Sequence, residues 1–309
     1  MFGKLIPILI ASGSLYAAEP AELTSVATPT STWYQETLYP EWGQTFSVDK
    51  MIHREKSDFW DLSIFENSFY GRVLAIDGII QTTERDEPVY HEMMVHVPLL
   101  THGNATNVLV IGGGDGGIIR EVLRHDTVQN VTMVEIDNSV IELSKKYLPS
   151  LSNGAFDDPR LKLVIQDAAK FVKETDEKFD VIICDSTDPE GAAIALFTSE
   201  FYGDCHRCLA PKGIFVNQNG VPFLQKGELK MSFDNRSPHF KHVAYYVAPV
   251  PTYVGGYMAF GWASDKKYRV SESTIEERMK SVKGKMKYYT PAVHKASFAI
   301  PQYMQDLLN

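Results

Sequence analysis

The sequence predicts an α/β protein, a doubly wound and mostly parallel sheet of the Rossmann-like, methyltransferase type behind a small antiparallel β domain. Three observations support this. Apolar strand-like runs alternate with amphipathic segments from residue 107 onward, and a glycine-rich turn at 112–117 follows the first run. Residues 33–86 instead carry short β-branched and aromatic runs separated by Asx and Gly. With 309 residues, 44% of them hydrophobic, the chain can form a large domain plus a smaller one.

Residues 1–32 are predicted to lie outside both domains. Residues 1–18 combine one lysine, a short apolar run interrupted by Pro7, and small residues at their end, which is the outline of a secretory signal. Residues 19–32 are rich in Ser, Thr, Pro and Ala and are typical of a linker. Two interpretations stay open: a genuine signal of an exported protein, or an unstructured extension of a cytoplasmic one. We expect the cytoplasmic location.

Residues 33–86 are predicted to form β-hairpins. The runs 61–65 and 71–76 are separated by Asn67-Ser68, and Asp77-Gly78 follows the second of them. Asx and Gly at these points are typical of tight turns between antiparallel strands.

Residues 87–309 are predicted to form the Rossmann-like domain. It begins with a helix over 88–100, whose apolar residues recur close to the helical period. The later apolar runs are predicted strands, and the last two of them are expected to form a closing hairpin on the same sheet. These runs are 108–111, 131–136, 161–165, 179–184, 213–217, 243–250 and 256–263.

Composition limits the possible partners. The formal net charge of −9 argues against a nucleic-acid surface, which would need clustered Lys and Arg, and favours a cationic small molecule. The three cysteines imply no disulfide framework. Cys205 and Cys208 have CxxC spacing without a second ligand pair, so we expect buried thiols rather than a metal or redox site. No transmembrane span is predicted.

Acidic residues follow the predicted strands, where open α/β sheets bind their ligands. These residues are Asp115, Glu135, Asp167, Asp185 and Asp188. Each one alone could be a helix cap or a turn residue. Five carboxylates at one sheet edge repel one another, so together they favour a cationic ligand.

Asp115 is the most informative of the five. The glycine turn that contains it would ordinarily offer backbone N–H groups to a phosphate. A carboxylate inside the turn repels phosphate and suits a nucleoside ligand that carries a positive charge. Glu135, about 20 residues further on, is placed to bind ribose hydroxyls.

Five ordered motifs together resemble the polyamine aminopropyltransferases, most closely the bacterial spermidine synthases. They lie at 77–87, 112–117, 133–137, 185–189 and 251–256, and the resemblance runs from about residue 33 to the C-terminus. It implies an enzyme that transfers the aminopropyl group of decarboxylated S-adenosylmethionine to putrescine, giving spermidine and 5′-methylthioadenosine. The decarboxylated donor is a co-substrate, and no prosthetic group or metal is implied. A homodimer or higher homo-oligomer is expected, formed through the β domain.

The resemblance also assigns roles to residues. Asp185 would be the catalytic carboxylate, and Asp115 would select a donor that has lost its own carboxylate. The amine acceptor would contact Tyr90, Asp185, Asp188 and Tyr253. The donor would contact Gln44, His91, Gly112, Gly114, Asp115, Glu135, Asp167 and Ala168.

The loop after Asp188 departs from the family pattern. Ala192 stands where relatives usually have a proline, and Ile194 stands where an acid is common. We expect a looser loop and an altered acceptor preference. Three alternatives stay open: an aminopropyltransferase with another amine acceptor, a methyltransferase of the same fold, and an exported polyamine or nucleoside binder without turnover.

Overall fold

Two antiparallel sheets form the N-terminal β unit of the computed structural model, which describes residues 32–308. The strands are β1 (Thr32–Gln35) paired with β2 (Thr45–Val48), then β3 (Lys50–Lys56), β4 (Asp61–Asn67), β5 (Gly71–Ile76) and β6 (Ile79–Thr83) in one meander. Asp77 and Gly78 join β5 to β6 with φ of 50° and 86°, as a two-residue hairpin turn requires. The predicted hairpins are confirmed.

The predicted linker ends one residue too late, because Thr32 pairs with Val48 as the first residue of β1. The signal-like segment and the rest of the linker lie outside the described residues.

A seven-stranded mixed sheet forms the centre of the protein. Its strands are β7 (Asn107–Gly112), β8 (Asn130–Glu135), β9 (Leu161–Ile165), β10 (Phe179–Asp185), β11 (Leu209–Gln218), β12 (His242–Ala248) and β13 (Met258–Ser264). Their spatial order is β12-β13-β11-β10-β7-β8-β9. Strands β7 to β11 pair in parallel, and β12 and β13 add the predicted antiparallel hairpin at one edge. The predicted fold class is confirmed.

Helices cover both faces of this sheet. They are α1 (Glu87–His102), α2 (Gly117–Leu123), α3 (Asn138–Tyr147), α4 (Pro149–Ser152), α5 (Ala168–Glu174), α6 (Ser199–Cys208), α7 (Lys226–Arg236), α8 (Glu272–Met279), α9 (Pro291–Ser297) and α10 (Gln302–Leu308). Strand β7 shows why two layers are needed. Val108 and Val110 pack with α1 and α2, whereas Leu109 and Ile111 pack with α5 and α6. Successive side chains of a strand point to opposite faces, so a run of apolar residues buries both.

The strand order places the candidate site. The chain leaves β7 towards β8 on one side, and β10 returns to pair with β7 on the other. A crevice forms outside the carboxyl ends of two such strands. The register sets Gly112 of β7 opposite Asp185 of β10, so the glycine turn and the proposed catalytic carboxylate meet there.

Cys184, Cys205 and Cys208 are buried free thiols. Among residues 32–308, no cluster of three or more His, Cys, Asp or Glu could hold a metal ion. No helix in that same range has the length and apolarity needed to span a bilayer.

Candidate active site

A cavity of about 350 Å³ lies at the carboxyl ends of β7, β8 and β10, beneath the N-terminal β unit. All of the predicted site residues except Gln44 line it. The structure therefore brings together residues from Tyr90 to Tyr253, most of which stand at the ends of central strands.

Gly112 allows β7 and β10 to end in close contact. It has φ of 73°, and a Cβ atom added to it would lie 2.1 Å from the carbonyl oxygen of Asp185. The next residue, Gly113, donates its N–H to the same carbonyl over 3.0 Å. The backbone of Asp185 is thus held by the turn, which needs glycine for both its conformation and its lack of a side chain.

We expect Gly112→Ala to lower the free energy of unfolding by about 3 kcal/mol, since it adds a backbone clash to the strain of positive φ. Urea unfolding at a fixed protein concentration measures the loss. The matched control is Gly154→Ala, because Gly154 has φ of 82° with nothing within 4 Å of an added Cβ. Equal losses in the two variants would show that the contact with Asp185 is unimportant.

Asp185 is held as a hydrogen-bond acceptor at the centre of the cavity. The hydroxyl of Tyr90 donates to its Oδ1 over 2.5 Å. Burial and the nearby Asp115 raise the pKa of Asp185 from an ordinary 3.8 to about 6, while His91 and the Tyr90 hydrogen bond oppose the rise. Burial and Asp185 raise the pKa of Tyr90 well above its usual value, so its hydroxyl remains a donor. A carboxylate with a pKa near 6 can exchange a proton at neutral pH.

Both carboxylate oxygens of Asp115 already have partners within the protein. Its Oδ1 accepts the N–H of Gly117 over 2.7 Å, and its Oδ2 lies 3.3 Å from Nε2 of His91. Burial alone would raise the pKa of Asp115, but the His91 charge and hydrogen bond outweigh it and lower that pKa. Asp115 is therefore a carboxylate with one protein cation already beside it.

The ends of β8 and β9 form the side of the cavity predicted to hold the nucleoside. Glu135 accepts the N–H groups of Ile136 and Asp137 on Oε1, over 2.8 and 3.0 Å, and its Oε2 faces Gly114. Burial raises the pKa of Glu135 to about 7. Asp167 caps α5 by accepting the N–H of Ala169 on Oδ1 over 2.8 Å. The helix-cap and ligand interpretations of Asp167 are therefore compatible.

The opposite side of the cavity carries Asp188 and Tyr253. The amide of Gln225 donates to Oδ2 of Asp188 over 2.6 Å, and burial raises the pKa of this carboxyl. The hydroxyl of Tyr253 donates to the carbonyl of Gln81, and its ring packs edge-on against Tyr90 at 5.8 Å between centroids. Both rings line the cavity. Burial and the nearby Asp185 and Asp188 raise the pKa of Tyr253.

Gln44 does not reach the cavity wall. Its amide donates to Oε2 of Glu36 over 3.1 Å and to the carbonyl of Thr252 over 2.6 Å. Glu36 and Thr252 line the cavity, so Gln44 lies one layer behind it. Its direct contact with a donor stays a prediction.

The N-terminal β unit is fastened to the loop that carries Tyr253. Oδ2 of Asp86 accepts both the N–H and the hydroxyl of Thr252, over 2.9 and 2.7 Å. Together with the contact between Tyr253 and Gln81, these bonds join residues more than 160 positions apart in sequence. The cavity is completed only where these two parts of the chain meet.

Comparison with known proteins identifies the family to which the chain belongs. Residues 87–274 match the spermine/spermidine synthase domain, and residues 32–84 match the spermidine synthase tetramerisation domain. The chain belongs to the spermine/spermidine synthase family. The predicted resemblance is confirmed, and the alternative of a methyltransferase is set aside.

Relatives and solved structures agree with this family. The polyamine aminopropyltransferase of Serratia proteamaculans is 55% identical over 279 residues, which cover 90% of this chain and 97% of the relative. That of Salmonella arizonae is 52% identical over 281 residues, covering 90% and 98%. A spermidine synthase crystallised with the transition-state analogue AdoDATO superposes with a TM-score of 0.84 at 40% identity, covering 90% of this chain and 94% of that one. Spermidine synthase from Thermotoga maritima gives a TM-score of 0.82, also at 40% identity and the same coverage.

The loop that departs from the family pattern forms a short 3₁₀ helix in this polyamine aminopropyltransferase, over Gly191–Phe197. Ala192 lines the cavity, whereas Ile194 is 55% exposed and does not line it. The first substitution can therefore act on a ligand directly. The expected effect of Ile194 on the acceptor has no direct contact to support it.

Sequence reasoning missed several acidic and polar residues of this aminopropyltransferase. Glu36 and Tyr39 line the cavity but come from the β unit, where no strand-end rule applies. Glu228 is buried near Asp188, and burial raises its pKa well above the ordinary value. Within the described chain, neither Oε1 of Glu228 nor the hydroxyl of Tyr39 has a hydrogen-bond partner. Glu87 pairs with His91 and could have been found from its i, i+4 spacing.

Proposed function

We propose that this polyamine aminopropyltransferase is a spermidine synthase, which transfers the aminopropyl group of decarboxylated S-adenosylmethionine to putrescine. The observation that carries the proposal is the position of Asp185. It is a half-buried carboxylate, bound to Tyr90, between a nucleoside-type side with Asp115 and Glu135 and an acidic, aromatic side with Asp188. The AdoDATO complex of a similar structure supports the assignment.

The chemistry follows from the substrates. A neutral amine nitrogen of putrescine attacks the methylene carbon next to the donor sulfonium. The C–N bond forms as the C–S bond breaks, and the bonding pair returns to sulfur as the neutral thioether 5′-methylthioadenosine. Asp185 accepts the proton that the bound ammonium loses before it attacks, and the new secondary amine leaves as an ammonium. Putrescine amines have pKa values on the order of 10, like lysine, so a base beside the reacting nitrogen is needed at neutral pH.

The donor side suits a molecule without a carboxylate. Glu135 would take the ribose hydroxyls through Oε2, and Asp167 with Ala168 would contact the adenine. Asp115 would face the donor's ammonium group. Ordinary S-adenosylmethionine would set its own carboxylate against Asp115, and this repulsion discriminates between the two donors.

The acceptor side suits a diamine. The reacting amine would lie between Asp185 and the rings of Tyr90 and Tyr253. Asp188, held by Gln225, would bind the second amine. Glu36 and Glu228 lie near that end, and burial raises the pKa of both, so a bound cation would favour their ionised forms and the site would favour a cationic chain over a neutral one.

An oligomer is the proposed assembly. The tetramerisation domain matched by residues 32–84 supports it. The same segment exposes Trp33, Trp42, Met51, Phe59 and Phe69, each by 40% or more. Exposed apolar residues concentrated in one segment are typical of a surface that another subunit covers.

The test is a product assay with the purified full chain, decarboxylated S-adenosylmethionine and a panel of putrescine, cadaverine and spermidine. We expect spermidine and 5′-methylthioadenosine in equal amounts, with putrescine preferred. A buried methylene contributes about 0.8 kcal/mol, so a small change in the pocket alters the preference about fourfold. A preference for another amine would show that putrescine is not the acceptor. The absence of any aminopropylated product would overturn the whole proposal.

A further inference from the structure

His91 has a carboxylate on each of its two ring nitrogens. Nδ1 lies 2.6 Å from Oε2 of Glu87, one turn earlier on α1, and Nε2 lies 3.3 Å from Oδ2 of Asp115. The side chains of His91 and Glu87 are only 3% and 4% exposed. Neither carboxylate can donate when ionised, so the hydrogen bond from Nδ1 and the ion pair at Nε2 both need an N–H group, and only the imidazolium has two.

Glu87 is itself held in place by Arg120. Arg120 of α2 donates to both of its oxygens, over 3.1 and 2.7 Å, and also to the carbonyl of Leu151 over 2.7 Å. Arg120 in turn contacts Glu121 at 2.8 Å. A two-pronged guanidinium contact fixes the plane of the carboxylate, so Glu87 meets the imidazole ring in one orientation.

The imidazole ring is fixed by packing as well. A Cβ atom added to Gly117 would lie 2.2 Å from Cε1 of His91. The Tyr90 ring stands edge-on to it at 5.6 Å between centroids. The ring therefore occupies a slot left open by the last glycine of the turn, with its Nε2 directed at Asp115.

The charges around this ring favour its protonated form. Burial alone would lower the pKa of His91, but Asp115 and Glu87 outweigh it and raise that pKa to about 10. Burial would raise the pKa of Glu87, but His91 and Arg120 outweigh burial and lower that pKa.

Asp185 needs a cation near it. It faces Asp115, His91 and Tyr90, and the nearby Tyr253 and Glu135 also interact with it. Of these groups, only His91 can be positive. Two close carboxylates that share one site raise each other's pKa unless a cation compensates them.

We propose that Glu87 is a positioning residue, which keeps His91 as an imidazolium directed at Asp115 so that Asp115 and Asp185 are both ionised in one cavity. The inference rests on the proposed function, because it matters to turnover only if Asp185 accepts a proton from the amine. Glu87 touches no part of the cavity itself. It acts entirely through His91.

The first test reads His91 directly and needs no catalysis. Protein labelled with ¹⁵N-histidine is titrated by NMR from pH 6 to 9, about the range where free imidazole loses its charge. The His91 signals are assigned with His91→Gln. We expect imidazolium shifts in the unmodified protein throughout this range. A neutral imidazole at pH 8 would overturn the inference, whether or not the enzyme makes spermidine.

The second test uses Glu87→Gln and a matched control. Glu92→Gln alters another buried glutamate of α1, which accepts only the backbone N–H groups of Lys287, Tyr288 and Tyr289. We expect the acid limb of kcat/KM to move up by about one pH unit in Glu87→Gln, since an opposite charge within a few ångströms of a carboxylate has about this effect. The acid limb of Glu92→Gln stays in place, even where its stability falls.

An unmoved acid limb in a folded Glu87→Gln, or an equal movement in both variants, would contradict the role of Glu87. If Glu87→Gln does not fold, the NMR titration of the unmodified protein decides. Failure of the proposed function has a different signature, because then the unmodified enzyme yields no aminopropylated amine at any pH.

Discussion

Asp185→Asn is expected to lower kcat by a factor of about 10² to 10⁴ while donor affinity changes little, because an amide cannot accept the proton of the attacking amine. The side chain keeps its shape and still accepts the Tyr90 hydroxyl, so the cavity stays intact. Single-turnover kinetics measures the chemical step, and calorimetric titration with decarboxylated S-adenosylmethionine measures binding. Turnover equal to that of the unmodified enzyme would remove Asp185 from the mechanism.

A measurement of stability distinguishes the loss of turnover in Asp185→Asn from a loss of folding. The folded-state pKa of Asp185, about 6, is above its ordinary 3.8, so the folded state loses stability as pH rises through 6. Asparagine carries no charge, and Asp185→Asn should therefore be more stable than the unmodified protein at pH 8, by on the order of 1–3 kcal/mol. The two should be equally stable below pH about 4. An inactive but more stable variant is the expected combination.

The matched control is Asp180→Asn at the other end of β10. Asp180 accepts the N–H groups of Thr106 and Asn107, far from the cavity lining. It should lose stability and keep its turnover. The unmodified enzyme should also lose kcat/KM below pH about 6, as Asp185 becomes protonated.

Asp115→Asn is expected to change which donor is bound. Removing a partly buried, hydrogen-bonded charge partner costs about 2 kcal/mol, so the affinity for decarboxylated S-adenosylmethionine should fall about 30-fold. The affinity for ordinary S-adenosylmethionine should rise, since its carboxylate no longer meets a negative charge. Competition calorimetry with the two donors measures the ratio of their affinities.

The control for this variant is Asp126→Asn, which removes a charge paired with Lys283 outside the cavity. Its donor ratio should equal that of the unmodified enzyme. An unchanged ratio in Asp115→Asn would show that the carboxylate does not select the donor.

The central sheet and its ligand edge could be predicted because they depend on local patterns. Alternating strands and helices imply parallel pairing, and parallel pairing brings the residues after each strand to one edge. Asp115 and Asp185 therefore lie in one cavity, as expected. Their charges could not be predicted, because Tyr90 and His91 come from α1 and their contacts depend on how that helix packs over the sheet.

The residues that the β unit and α7 contribute near the cavity could not be predicted from local sequence patterns. Glu36 follows a short exposed strand, and nothing in its neighbourhood marks it as a ligand residue. Its position depends on bonds to Ile80 and Gln44, which come from other strands and loops. Glu228 stands in the first turn of the mostly polar helix α7, where a glutamate is expected to face solvent. Tertiary packing alone buries it.

The bonds from Asp86 to Thr252 and from Tyr253 to Gln81 also bear on how the enzyme reaches its active form. They close loops of 166 and 172 residues, so the entropy cost of making them is high until the intervening sheet exists. Recovery of activity during refolding would therefore trail recovery of secondary structure, and aminopropyl transfer would report the last docking event of the chain.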